Sequence, residues 1–143
     1  MVEAAPDSQA AGSVRVSLVD GPISSARPGT REGSGAVVCF EGVVRPTEDG
    51  RPLIGLDYTS YDPMAERELL RLSRQVIRDY QVEQIDLIHS RGLVKIGQVS
   101  LRVVVASAHR KPALTAVDFI IDALKREVPI WKTPVFVDQG QQQ

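Results

Sequence analysis

The chain has 143 residues, 43% hydrophobic and 24% charged, which suits one globular domain with a real core and gives no sign of a second. Its 17 basic and 18 acidic residues leave a net charge of -1, so the overall basic field of a sequence-independent nucleic-acid binder is excluded and any anion site must be local. One cysteine makes neither an internal disulfide nor a zinc site, and no stretch approaches the length of a membrane span.

Residues 1–13 contain Glu3 and Asp7 and have no apolar run, so they lack the form of a signal peptide and are expected to be a flexible tail of a cytoplasmic protein. Val14, Val16 and Leu18 alternate as a first strand, closed by Asp20-Gly21-Pro22. Residues 24–35, rich in Ser, Gly and Pro, read as a loop. An apolar strand follows from Gly35 to Val44 and ends at Arg45-Pro46 and a polar turn over Thr47-Glu48-Asp49-Gly50. Cys39 lies inside that apolar run and is expected as a small buried core residue. Leu53 to Tyr61 gives another strand. Asp62 then suits a helix N-cap and Pro63 a first helical residue, with Ala65, Leu69, Leu72, Val76 and Tyr80 recurring at helical spacing.

Three short strands come next, Ile85 to His89, Leu93 to Ile96 and Val99 to Ala106, separated by turns at Gly92 and Gly97-Gln98. His89 reads as a strand-end residue. The spacing predicts a second helix from Pro112 to about Glu127, with an apolar stripe of Leu114, Val117, Ile121 and Leu124. Pro129 cannot continue it and biases Val128 toward an extended conformation, so Ile130-Trp131-Lys132 leaves as a strand or arm. Arg126 is expected to pair with Asp122 at i, i+4. This order of elements predicts an α+β fold, one domain over residues 14–137 with helices covering a mostly antiparallel sheet, and a flexible tail at 138–143.

The chemistry concentrates in the second half. Ser107-Ala108-His109-Arg110-Lys111-Pro112 places His109 and Arg110 at a strand-to-helix corner with Lys111 beside them, where unpaired backbone N–H groups already favour an anion. Lys125 in the last turn of the following helix and Lys132 beyond Pro129 bracket the same helix, and together the four groups are expected to converge. Lysines near a helix C-terminus also answer the helix dipole, which is the plainer account of either one alone.

Three blocks, Phe40-Glu41-Gly42-Val43-Val44-Arg45, Ser107-Ala108-His109-Arg110 and Leu124-Lys125-Arg126-Glu127-Val128-Pro129-Ile130-Trp131-Lys132, resemble in order and spacing the signature blocks of the molybdopterin synthase catalytic (large) subunit, the MoaE family. The resemblance covers roughly Val14 to Lys132. It implies an α/β hammerhead-type architecture and a homodimer, with conversion of cyclic pyranopterin monophosphate (precursor Z) to the molybdopterin dithiolene. The sulfur would come from a small ubiquitin-like subunit carrying a C-terminal Gly-Gly thiocarboxylate, two large and two small subunits making a heterotetramer. No cofactor, metal, nucleic acid or membrane is implied.

At matching positions the resemblance assigns Arg45, His109 and Arg110 to the phosphate and pterin, and Lys125 and Lys132 to catalysis. Guanidinium groups suit bidentate contacts to phosphate oxygens. A base and an oxyanion-stabilising ammonium suit the lysine pair, with the assignment between them left open. Phe40 and Trp131 can add an aromatic wall for a flat ring. The chain departs from the family pattern in Thr133-Pro134-Val135-Phe136-Val137 after Lys132, in Pro46 after Arg45, and in the shortness of residues 24–35. The alternative is a non-catalytic module that binds a ubiquitin-like tail or an anionic metabolite through the same cations.

Overall fold

The structure, a computed structural model, describes residues 12–27, 29 and 33–138 and the backbone of residues 2–4. In chain order the elements are β1 (Val2–Ala4), β2 (Ser13–Asp20), β3 (Ala36–Val43), β4 (Thr47–Glu48), β5 (Arg51–Ser60), α1 (Met64–Tyr80), β6 (Gln84–Lys95), β7 (Val99–Ser107), α2 (Arg110–Glu127) and β8 (Ile130–Phe136). The fold is α+β and the sheet mostly antiparallel; β2 pairs in parallel with β6, as a long crossover between them allows.

β6 organises the sheet because it serves two neighbourhoods in turn. Its first half, Gln84 to His89, lies between β2 and β7, and β7 carries β3. Its second half, Gly92 to Lys95, pairs with β5, which in turn carries β8 along Leu53 to Ser60. Val14, Val16, Leu18, Ile85, Leu87, Leu101, Val103 and Val105 alternate onto one face and are buried beneath the two helices. α1 contributes Ala65, Leu69, Leu72 and Val76 to that layer. A smaller cluster of Val44, Leu53, Leu56 and Val94 closes the second half of the sheet.

Several elements differ from the sequence expectation. Gly92 does not end a strand: at φ +79 it bends a continuous β6, where the strand changes partners. α1 begins at Met64 with Pro63 at the cap, while Asp62 accepts Arg91 Nη1 at 2.7 Å and ties the helix entrance to β6. The buried face of α2 is Ala113, Ala116, Val117, Ile120, Ala123 and Leu124, and Leu114 is exposed. Val117 and Leu124 of the expected stripe lie on this face, and the three alanines beside them let the helix lie close to the sheet and the neighbouring helix.

Cys39 is exposed, contrary to the core role read from its apolar surroundings. In β3 the residues Ala36, Val38, Phe40 and Gly42 turn inward, so period two puts Cys39 on the outer face of an edge strand. Arg126 lies 3.6 Å from Glu127 instead of pairing with Asp122, and Glu127 also accepts Arg71 of α1 at 3.1 Å. Of the expected N-terminal tail, Val2–Ala4 pair with Val14 to Val16 as a strand; residues 1 and 5–11 lie outside the described residues, as do 139–143 of the C-terminal tail. The departing segment after Lys132 is part of β8, where Pro134 is tolerated on an edge strand opposite Leu56.

Candidate active site

A cavity of about 760 Å³ opens where the two halves of the sheet meet the end of α2. Its walls come from β3 and the following turn, β4, β5, β6, β7, the last helical turn and β8. Phe40, Arg45, Lys125, Trp131 and Lys132 all line it. Each arrives for a local reason. The β3–β7 register shifts between Gly42 and Val43, a bulge that redirects the chain into the Arg45 turn. Val44 is then pinned by its N–H to the Gln98 carbonyl at 3.0 Å and by Gly97 N–H to its own carbonyl at 2.8 Å. Val128 stops α2 by donating to the Leu124 carbonyl at 3.1 Å and taking an extended conformation before Pro129. The helix therefore delivers Lys125, and the strand that starts two residues after Val128 delivers Lys132, to opposite sides of one break.

Lys132 Nζ stands 3.7 Å from Glu48 Oε1, with the lysine side chain half-exposed and the carboxylate largely covered. Glu48 ends β4 and pairs with Arg51 across a two-residue hairpin turn, Asp49 and Gly50, both at positive φ (52 and 76), the conformation a tight hairpin demands. The hairpin carries a carboxylate to the cavity wall that sequence spacing alone did not flag.

The floor of the cavity is neutral and polar. Tyr58 Oη donates to Ser100 Oγ at 3.0 Å, and the Tyr58 ring meets His89 edge-on at 5.1 Å between centroids and 78° between planes. His89 is 5% exposed and its Nδ1 is 2.8 Å from the Ser90 carbonyl oxygen. Burial pushes the His89 pKa below that of an ordinary histidine, against a smaller opposing effect of the Ser90 carbonyl. His89 continues the inward series Ile85, Leu87, so period two already placed it on the buried face; a buried titratable group at the end of such a series was the signal available.

His109 and Arg110 are not part of this cavity. They are exposed at the start of α2, with His109 as N-cap and the Ser107 hydroxyl donating to its carbonyl. Fifteen residues of helix separate Arg110 from Lys125, about 22 Å at 1.5 Å per residue. The expected convergence of all four groups fails within one chain because a helix puts its two ends far apart. Arg45 joins the lysines instead. Among the described residues no group of three or more His, Cys, Asp or Glu side chains is placed to hold a metal ion, and no helix is long and apolar enough to cross a membrane.

A mostly antiparallel sheet under two helices, with an arginine and two lysines lining one cavity, defines an α+β protein with a cation-lined cavity. Residues 18–127 match the family model described as MoaE protein, and the chain belongs to that family. It is 38% identical over 106 residues to the molybdopterin synthase catalytic subunit of Homo sapiens, a match covering 74% of this chain and 56% of that protein, so the chain spans little more than half the length of that relative. The crystal structure of molybdopterin synthase from Staphylococcus aureus superimposes with a TM-score of 0.72 at 33% identity, covering 76% of this chain and 80% of that one. A complex of subunits 1 and 2 of molybdopterin-converting factor from Helicobacter pylori 26695 gives a TM-score of 0.66 at 25% identity, covering 87% and 90%.

Proposed function

We propose that the protein is the catalytic subunit of a molybdopterin synthase, working in the cytoplasm. It transfers sulfur from the C-terminal thiocarboxylate of a small ubiquitin-like subunit to cyclic pyranopterin monophosphate, forming the molybdopterin dithiolene. The observation that carries this reading is the meeting of Arg45, Lys125 and Lys132 around one cavity with Phe40 and Trp131 beside them. Both reactants are anionic, and a planar guanidinium with two compact ammonium groups suits a phosphate and a thiocarboxylate in one space. Arg45 and Phe40 hold the substrate; Lys125 and Lys132 act on the reacting centre, one as base and one as stabiliser of the developing oxyanion. Kinship to the two-subunit Helicobacter pylori complex supports an assembly with a small partner.

His109 and Arg110 keep the substrate-binding role within this proposal in one way. In a homodimer the exposed start of α2 can reach the cavity of the second copy, which its own helix prevents it from reaching in the first. Each site then draws its lysines from one copy and its outer clamp from the other. The test of the overall function is conversion of the cyclic pyranopterin monophosphate to molybdopterin by the purified chain with a thiocarboxylated small subunit, without ATP and with a chelator present. Conversion is expected. Binding of both reactants without any conversion would make the chain a non-catalytic binding module.

A further inference from the structure

The cavity has two chemistries side by side. Arg45, Lys125 and Lys132 supply charge, while Tyr58, His89 and Ser100 supply a neutral polar floor. The tautomer of His89 follows from its neighbour: the Ser90 carbonyl can only accept, so Nδ1 at 2.8 Å carries the proton and donates, which leaves the lone pair on Nε2. Among the described residues Nε2 has no hydrogen-bond partner. The ring cannot readily turn away, because it is 5% exposed, anchored at Nδ1, and packed against a Tyr58 ring whose own hydroxyl is tied to Ser100. The cavity's carboxylate, Glu48, is committed to Lys132. Burial, which lowers the His89 pKa, agrees with an uncharged ring near neutral pH.

We propose that His89 is a substrate-positioning residue whose Nε2 accepts a hydrogen bond from a neutral N–H or O–H of the substrate's ring system, while Arg45 and the lysines take its phosphate. This deepens the functional reading above and rests on it. A pterin carries amide and amine N–H donors remote from the cyclic phosphate, so a cavity that offers both cations and a fixed neutral acceptor orients the molecule by its two ends. It also discriminates. A ligand of equal charge without a ring donor covers this acceptor without pairing it and binds less well. Tyr58 and Ser100 act one step back, holding the imidazole plane rather than touching the ligand.

The chain has only two histidines, so the ring nitrogens of His89 can be followed in the ¹⁵N-labelled wild-type protein, with the His109 signals identified from a His109→Asn sample. Saturation with the cyclic pyranopterin monophosphate, established by calorimetry, is expected to move the Nε2 resonance upfield toward a hydrogen-bonded value and leave Nδ1 protonated. Inorganic phosphate alone is expected to leave Nε2 in place. In turnover, His89→Phe keeps a ring against Tyr58 but removes the acceptor, and is expected to raise KM about tenfold with kcat little changed, the scale of one hydrogen bond. Bound substrate with an unmoved Nε2, or an equal shift with phosphate alone, would overturn the inference and leave the functional reading standing. Failure of the pterin to bind at all would overturn both.

Discussion

Lys132 stands directly opposite Tyr58 in the β5–β8 ladder, and both side chains line the cavity. Direct partners on antiparallel strands share a face, so the cation of β8 and the phenol that braces His89 belong to one wall. Lys125 reaches the same space from the last turn of α2, across the break at Val128-Pro129. The two lysines are thus set by different elements, a helix end and a strand, and neither depends on the other for its place.

Glu48 tempers the charge of this cavity. Because its pair with Lys132 is half-exposed at 3.7 Å, Glu48→Gln is expected to change folding stability by less than about 1 kcal/mol. Removing a negative charge beside an anion site should nonetheless tighten binding of inorganic phosphate, with a larger gain at low ionic strength. Titration at two salt concentrations reads the effect. Weaker binding with an intact fold would mean that Glu48 serves to hold Lys132 in place rather than to set the local potential.

The separation of Arg110 from Lys125 makes a prediction about assembly. If each site combines two copies, Arg110→Ala and Lys125→Ala are both expected to be strongly impaired alone at limiting substrate, yet a mixture of the two proteins, unfolded and refolded together, should regain activity. A mixed dimer has one site with its arginine and its lysine both intact. Loss of a charge-assisted contact to phosphate should cost about 1.5–3 kcal/mol of substrate binding in the Arg110 variant. A co-refolded mixture as impaired as its parts would show that both residues must come from the same copy.

His89 should leave a mark on stability against pH. Its pKa in the folded protein is lowered, chiefly by burial, so the unfolded chain, titrating near about 6.5, binds the proton more readily. The contribution is therefore fully present above about pH 6.5 and is lost as pH falls from there toward the folded pKa, by at most about 1.4 kcal/mol per pH unit. The other ionisable groups around the cavity are Arg45, Glu48, Tyr58, Lys125 and Lys132, and they are common to wild type and variant. Urea midpoints between about pH 7.5 and 5 are expected to fall more steeply for wild type than for His89→Phe. Parallel slopes would contradict a buried neutral imidazole.

Most of the elements were legible because alternation and helical spacing are written in the chain: Val14, Val16 and Leu18 on one strand face, Ala65, Leu69, Leu72 and Val76 on one helix stripe. What escaped was long-range. Nothing local tells that β6 passes through Gly92 to change partners, since the need for that bend arises from β5 and β7 lying on the same edge at different heights. Cys39 was misplaced because an apolar run does not say which neighbour of an alternating pair faces out on an edge strand. In the site, Arg45, Lys125 and Lys132 were found by their blocks and do converge. His109 and Arg110 flank the same helix as Lys125 but sit at its opposite end, and the floor of Tyr58, His89 and Ser100 depends on three strands whose registers the sequence does not reveal.

In the proposed function the two lysines act as chemical rather than merely cationic groups. Lys125→Arg and Lys132→Arg keep a positive charge in the cavity but replace a compact ammonium, and its accessible neutral form, with a planar guanidinium that does not readily lose its proton. Single-turnover conversion of cyclic pyranopterin monophosphate by each variant, with excess thiocarboxylated small subunit, is the measurement. A fall of about 100-fold or more in each, the scale of losing one positioned acid-base or electrostatic group, with small-subunit binding nearly unchanged, is the predicted result. Near-normal rates in both variants would contradict it, and would leave the cavity as a place where anions bind without being acted on by these residues.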